Sequence, residues 1–243
     1  IQKDRLLKLV EAYQEHFKQY NRPDYNETEV RNDFINPFFE ILGWDVQNKK
    51  NLPQHLREVK HEASVFVEEN GKQVIFFLVK QFHLRSTPYF FLETKKPNVD
   101  IMASKEAAFQ TRRYGWNGNL EISVLSNFTD LVIYDTSVRP NENDKPSVAQ
   151  VAHFHFTEYV DKFDEISRLL SYETVVSGAF EKTFENISSS LKKEPFDKYF
   201  LSQIKEWRLV LSKDIIKHNS IVKQGTLNIF VQKLINRIVF LRI

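Results

Sequence analysis

Apolar residues recur at helical spacing through the first part of the chain. They fall every three or four positions from residue 3 to 19 and again, after a polar break, from Asn26 to Gly43. This spacing predicts two amphipathic helices. The second helix begins with a capping-box pattern, because Glu29 follows Asn26 by three residues.

The pattern changes to short runs of β-branched and aromatic residues between residues 45 and 91. The runs VKHEASVFV, VIFFLV and TPYFFLE, with a turn at 69–71, predict three or four strands. A helix is predicted over 104–115. The segments ISVLS and LVIYD predict two more strands that are joined near Asn127, and VAHFHFTEY predicts a last one.

Helical spacing returns at Asp161 and continues to the end of the chain, with a Ser/Lys/Pro break at 188–195. We therefore predict an α/β domain over residues 1–175 and a helical extension over 176–243. The last helix carries an apolar stripe that is typical of a face packed against another domain. The stripe consists of Leu227, Phe230, Val231, Leu234, Ile235 and Ile238.

Composition narrows the class of protein. The 34 Lys and Arg nearly balance the 32 Asp and Glu, so a nucleic-acid contact must depend on local patches. The absence of cysteine excludes disulfides, Cys-based zinc sites and a Cys nucleophile, and fits a cytoplasmic setting. No apolar run is long enough for a membrane span, so we expect a soluble protein with no membrane partner. Because the chain begins at Ile1 and ends within a helical pattern, we interpret it as part of a longer protein.

The segment PYFFLETKKP contains the main candidate chemistry. Alternation along a strand places Glu93 and Lys95 on the same face of an otherwise apolar element. Burying such a pair is costly, and phosphodiester hydrolysis would explain it. Glu93 would hold a divalent metal, and Lys95 would activate a water or stabilise the developing charge. A single Glu-x-Lys tripeptide, however, is more often an exposed ion pair.

A second candidate segment, AAFQTRRYGW, follows about fifteen residues later. It places Gln110 and Tyr114 on one helical face, with Arg112 and Arg113 between them as candidate phosphate contacts. Lys96 faces away from its neighbour Lys95 on a strand and is a candidate contact to the DNA backbone.

Four further acidic or histidine positions are candidate ligands. Glu27 begins the second helix, where it could reach the sheet edge or only favour the helix dipole. Asp100 could be a substitute ligand, but a helix N-cap suits it better. His153 and His155 share a strand face without a third ligand at a recognisable spacing.

Four segments in order resemble a known family. ETEVRNDFINPFFEILGWDV, FFLETKKP, AAFQTRRYGW and SVLSNFTDLVIYD, within about residues 20–180, resemble the N-terminal endonuclease domain of type IIG restriction-modification enzymes. They are similar also to the N-terminal nuclease region of type I restriction motor subunits. The later segment from IKEWRLVLSKDI to NIFVQKLINRIVFLRI resembles the helical connector to an adenine-specific methyltransferase. The chain has no Asn-Pro-Pro-Tyr-like motif and no Gly-rich cofactor loop, so that methyltransferase is absent from it.

The resemblance implies a restriction-endonuclease-like PD-(D/E)xK fold, an α/β architecture in which helices flank a mixed central sheet. It implies Mg²⁺-dependent hydrolysis of duplex DNA by a type II site-specific deoxyribonuclease, with Mn²⁺ as a substitute metal. It also implies methyltransferase and specificity regions in the same polypeptide, with S-adenosylmethionine used only by the former. The implied metal ligands are Glu93 and Glu27, and the implied catalytic lysine is Lys95. Gln110, Arg113 and Tyr114 would position the scissile DNA backbone, and Arg31 falls at the arginine of the family.

The chain departs from the family at one position. Leu78, Val79 and Lys80 stand where the family has Pro-Asp-Tyr, and no acidic residue occurs between Asn70 and Leu92. Mg²⁺ prefers carboxylate oxygens, so weak metal binding is expected. A degenerate nuclease, an Asp recruited from elsewhere, and a fault or omission in the sequence of residues 72–80 are the three explanations.

Three functions therefore remain open. The first is the active nuclease. The second is a non-catalytic DNA-binding or interaction domain that has lost the metal-binding Asp. The third is a dimerisation module in which Glu93 and Lys95 form only a surface ion pair.

Overall fold

The computed structural model describes residues 1–69, 72–188, 196–218 and 224–240. The chain divides into two compact units, Ile1–Lys193 and Glu194–Ile243. Among the helices in these described ranges, none is both long enough and apolar enough to cross a membrane.

The first unit combines short helices with one sheet. Its helices are α1 (Gln2–Glu15), α2 (Phe17–Tyr20), α3 (Glu27–Val30), α4 (Asn36–Ile41), α5 (Lys105–Asn117), α6 (Phe163–Leu170), α7 (Tyr172–Val176) and α8 (Ala179–Ser188). Its strands are β1 (Val59–Glu69), β2 (Lys72–Leu84), β3 (Thr87–Thr94), β4 (Ile122–Ser126), β5 (Asp130–Asp135) and β6 (Gln150–His155). A π-helical turn, Arg31–Ile35, joins α3 to α4, and 3₁₀ turns occupy Gln54–Leu56 and Phe156–Glu158.

The six strands form one mixed sheet in sequence order, β1 to β6. Neighbouring strands are antiparallel except β3 and β4, which are parallel and are connected through α5. A parallel pair needs such a crossover, and the helix then covers one face of the sheet. The predicted α/β class, with a mixed sheet flanked by helices, is confirmed.

The two faces of the sheet bury different surfaces. The larger core joins α1, α4, α6 and α8 to one face and includes Leu92 of β3. The opposite face packs against α5, with Ala107 and Ala108 against Leu125 and Val132. Glu93 pairs with Leu125 across β3 and β4, so the Glu93 side chain points to the α5 face.

Most predicted elements are present with shifted ends. The predicted helix from Asn26 to Gly43 is divided into α3, the π turn and α4, and residues 45–91 contain three strands. The predicted turn at 69–71 and the break at 188–195 lie largely outside the described residues. The helix α8, beyond the predicted boundary at 175, belongs to the first unit because Phe180 packs on Phe90 and Tyr89.

The second unit contains α9 (Phe196–His218) and α10 (Gln224–Phe240). The predicted stripe of α10 is divided between two environments. Leu227, Val231 and Ile235 are buried against apolar residues of α9, whereas Phe230 and Leu234 are 51% and 43% exposed. The side chain of Ile238 lies outside the described residues, and the packing of the stripe on another domain stays a prediction.

Gly115 allows α5 to approach the sheet closely. A Cβ atom at this position would overlap Ser123 of β4 and Thr136, which follows β5. Both of these side chains are buried, so they cannot easily move aside.

We expect Gly115→Ala to destabilise the protein by about 1–3 kcal/mol, because the methyl group overpacks this contact. Alanine would otherwise stabilise a helix interior by about 1 kcal/mol, so the sign of the change is informative. Urea denaturation measures it. Lys105→Ala, at an exposed position of the same helix, should change stability by less than about 0.5 kcal/mol. A stabilised Gly115→Ala protein would contradict the close packing of α5.

Candidate active site

Glu93 and Lys95 form a buried ion pair at the end of β3. Glu93 is 4% exposed, and the Lys95 Nζ donates to its Oε1 at 2.8 Å. The Lys95 backbone N–H donates to the Ser126 carbonyl at 3.1 Å, which extends the pairing of β3 with β4. An exposed surface ion pair, on which the dimerisation-module hypothesis depends, does not describe this contact.

The helix α5 adds two of the predicted residues to this pair. Lys95 Nζ also donates to Gln110 Oε1 at 3.1 Å, and the Gln110 amide nitrogen donates to the Tyr114 hydroxyl. Because an ammonium group only donates, the Lys95 contact fixes the Gln110 amide with its oxygen toward Lys95 and its nitrogen toward Tyr114. A continuous polar chain runs from Glu93 to Tyr114.

Glu27 approaches the same site from the N-terminal helices. Asn26 Oδ1 accepts from the backbone N–H groups of Thr28 and Glu29, and the Glu29 carboxylate accepts from the Asn26 N–H at 2.7 Å. This capping box, predicted from the sequence, engages Glu29 at the helix start. The Glu27 carboxylate raises the pKa of both Glu93 and Lys95, and so acts on both from nearby.

The electrostatics of the pair favour a protonated lysine. Burial raises the pKa of the Glu93 carboxyl, and the Lys95 charge and hydrogen bond oppose that change. Burial also works to lower the pKa of Lys95, but the charge and hydrogen bond of Glu93 outweigh it and the pKa is raised. Lys95 is therefore an ammonium ion at neutral pH in this arrangement.

Position 79 is close to this pair in the backbone but supplies no ligand. The pairing of β2 with β3 reaches Lys80 opposite Leu92, and Val79 and Glu93 are the next residues along these strands. The side chain of valine contains no oxygen that could bind a metal. Within the described ranges, no group of three His, Cys, Asp or Glu side chains could hold a metal ion.

Two carboxylates among the described residues could contribute to a site for a divalent cation. Glu93 Oε2 is buried and has no hydrogen-bond partner among the described residues, and an unpaired buried oxygen is costly unless a ligand satisfies it. Glu27 provides a second carboxylate within electrostatic range. Two carboxylates are within the range that Mg²⁺ uses in proteins.

The two neighbouring arginines, Arg112 and Arg113, differ in burial and in their partners. Arg113 is half-buried, and its guanidinium lies 5.2 Å from the Phe109 ring centre. Arg112 is 1% exposed and donates to Asp144 at 2.6 Å and to the Arg139 carbonyl. Arg112 is therefore not available to a phosphate, and the prediction that it contacts DNA is corrected, because this side of α5 faces the loop after β5.

The other predicted positions have local partners. Lys96 Nζ is 3.4 Å from the Pro23 carbonyl. Asp100 accepts from the N–H groups of the two residues at 102 and 103, whereas Ser104 is the N-cap of α5. His153 contacts Asp130 Oδ1 at 2.6 Å.

Lys80 is the residue that the sequence reasoning did not select. It is 3% exposed and donates to Asn36 Oδ1 of α4. A lysine within the apolar run VIFFLVK was the available signal, since lysine is rarely buried without a partner.

We expect Arg112→Ala to lower the free energy of unfolding by about 3 kcal/mol, because it leaves Asp144 and the Arg139 carbonyl without their partner. Urea denaturation of the purified chain checks this value. Arg113→Ala is the matched variant on the same helix, and we expect a smaller loss, of about 1 kcal/mol. Equal losses in the two variants would contradict the difference in burial.

Comparison with known proteins finds a relative that is similar in sequence. The chain is 41% identical over 243 residues, 99% of its length, to the Escherichia coli protein named Type II restriction enzyme and methyltransferase RM.Eco57I, and it covers 24% of that protein. No protein-family model and no solved structure matches the chain. The chain is thus similar over almost its whole length to about a quarter of a restriction-modification enzyme.

Proposed function

We propose that this chain is the DNA-cleaving region of a restriction-modification enzyme, with a PD-(D/E)xK-type site at the end of β3. The observation that carries the proposal is the convergence of Glu93, Lys95, Gln110 and Glu27, from three separate parts of the chain, on one buried position. The similarity to a type II restriction enzyme and methyltransferase supports the same role. Double-stranded DNA is the proposed substrate.

In this proposal, the residues of the chain position and stabilise a phosphodiester. Lys95, held as an ammonium by Glu93, would stabilise negative charge that develops on the phosphate. Gln110 orients the Lys95 amine, and Tyr114 orients the Gln110 amide. Arg113 and Lys96 remain the proposed contacts to the DNA backbone, which fix position but not sequence.

Glu93 and Glu27 would hold the divalent metal, Mg²⁺ or Mn²⁺. Such an ion, when bound, polarises a phosphate oxygen and makes a water ligand more acidic. The free Oε2 of Glu93 supports this assignment. We further propose that methyltransferase and specificity regions of the same polypeptide complete the enzyme, and that only the former uses S-adenosylmethionine.

A second candidate is a nuclease-fold domain that binds DNA without cleaving it. Val79 and the absence of a three-residue metal-ligating group from the described parts of the chain favour it. The two candidates differ in metal binding and in cleavage, and agree in DNA association.

Calorimetric titration of Mn²⁺ and Mg²⁺ into the chain tests the metal site. We expect weak Mn²⁺ binding that is lost in Glu93→Ala, and at least about tenfold tighter binding in Val79→Asp, which adds a carboxylate ligand. Glu106→Gln, at an exposed position of α5, is the control for loss of one acidic charge. Binding that survives Glu93→Ala contradicts the site. Binding that occurs only in Val79→Asp favours the non-catalytic candidate.

Cleavage of plasmid DNA in the presence of Mn²⁺ tests the reaction itself. We expect Lys95→Ala to lower the rate by about 10²- to 10³-fold, because it removes the charge that faces the phosphate. DNA binding, measured by fluorescence anisotropy, should change far less. An unchanged cleavage rate in Lys95→Ala would exclude this lysine from the reaction.

A further inference from the structure

Lys95, the proposed catalytic lysine, lies just beyond the end of β3. The pairing of β3 with β4 ends at Thr94, opposite Ser126, and its pairing with β2 ends earlier, at Leu92. The Lys95 N–H still donates to the Ser126 carbonyl at 3.1 Å, but none of the strand pairs of the described sheet includes Lys95. Further contacts are therefore needed to keep its side chain beside Glu93.

Asn127, the residue after β4, contacts the segment that follows β3. Its side-chain amide donates to the Val99 carbonyl at 2.8 Å and to the Pro97 carbonyl at 3.4 Å. The Val99 N–H donates to the Lys96 carbonyl at 3.1 Å, which closes a tight turn over residues 96–99. Asn127 is 1% exposed, so water does not compete for its donors. This side chain thus attaches the 96–99 turn, which begins with a proposed DNA contact, to the end of β4.

The β4–β5 turn, residues 126–130, is itself held in a strained conformation. Phe128 has a φ of +67°, in a region that bulky side chains rarely adopt. Its ring is buried beside those of Tyr13 and Phe34, at centroid distances of 4.8 and 4.9 Å, and the Tyr159 hydroxyl donates to its carbonyl at 2.9 Å. This packing offsets the strain, and strained backbone that is maintained in this way is typical of functional sites.

We propose that Asn127 is a positioning residue for the cleavage reaction, and that it fixes the 96–99 turn so that Lys95 stays against its two partners. Lys95 Nζ lies 2.8 Å from Glu93 Oε1 and 3.1 Å from Gln110 Oε1. Both distances depend on where the backbone of Lys95 lies, and that backbone is continuous with the turn. The role in cleavage rests on the proposed function.

An asparagine suits this position because its side chain contains both a donor and an acceptor. The amide nitrogen donates to the 96–99 turn, whereas Oδ1 accepts from the Asp130 N–H at 2.8 Å. Aspartate would retain the acceptor and lose the donors, and the serine side chain is too short to reach the Val99 carbonyl. Asn127→Asp and Asn127→Ser therefore remove the contact with the turn in two different ways.

Thr129, in the same β4–β5 turn, provides the matched control. Its hydroxyl is hydrogen-bonded to the Tyr13 hydroxyl at 2.7 Å. None of the hydrogen bonds of the described residues joins the Thr129 side chain to the 96–99 turn. Thr129→Val therefore removes a hydrogen bond from the β4–β5 turn without affecting that segment directly. Thermal melts check that all variants are folded.

The NMR signals of the Lys95 side chain report its position directly. They are recorded on the full chain in EDTA at one fixed pH near neutrality, and are assigned by their absence from Lys95→Arg. We expect Asn127→Asp and Asn127→Ser to move the Lys95 Cε signal toward that of an exposed lysine such as Lys8, because the ammonium leaves its two partners. Thr129→Val should leave the signal unchanged.

Cleavage of plasmid DNA in the presence of Mn²⁺ measures the effect on the reaction. We expect both Asn127 variants to lower kcat by about 10- to 100-fold, because a reacting group that is misplaced by about 1 Å loses much of its effect. KM should change by less than about twofold, as expected of a group that acts at the reaction step. Thr129→Val should retain both kinetic constants.

Lys95 signals that stay unchanged in both Asn127 variants, or that move equally in Thr129→Val, overturn the proposal. A kcat that both Asn127 variants retain, when the wild-type chain cleaves, also overturns it. A wild-type chain that does not cleave contradicts the proposed function instead. The Lys95 signals, which are recorded without DNA or metal, then decide alone whether Asn127 positions the lysine.

Discussion

The close packing of α5 against the sheet is the constraint on which the site depends. The parallel pair β3–β4 requires a crossover element, and Gly115 allows that helix to approach Ser123 and Thr136 without a side chain in between. This approach brings Gln110 within hydrogen-bond distance of Lys95. A helix held further from the sheet would leave the Glu93–Lys95 pair without its third partner.

Burial of this pair costs free energy that apolar packing alone does not offset. A buried ion pair is often no more stable than an apolar replacement, because both charges lose their hydration. Here one oxygen of Glu93 also finds no hydrogen-bond partner in the part of the chain that the structure describes. Such an arrangement is typical of a site that binds a charged ligand, since a ligand can supply the missing interaction.

The two faces of the sheet hold different buried charges near the end of β3. Lys80 lies opposite Leu92 on β2 and donates to Asn36 of α4, so its side chain shares the face of the larger core. Glu93 and Lys95 lie on the face that α5 covers. The sheet therefore separates the buried Lys80 from the Glu93–Lys95 pair.

The sequence by itself determined the elements of the fold and the main candidate residues, because helix and strand periodicity and the capping box are local properties of the chain. Glu93, Lys95, Gln110 and Tyr114 could be selected in this way. Only the tertiary structure distinguished Arg112, buried against Asp144, from Arg113 beside it. The partner of Lys80 on α4 was also decided by tertiary structure. Burial and ion pairing join residues that are distant along the chain, so no local pattern encodes them.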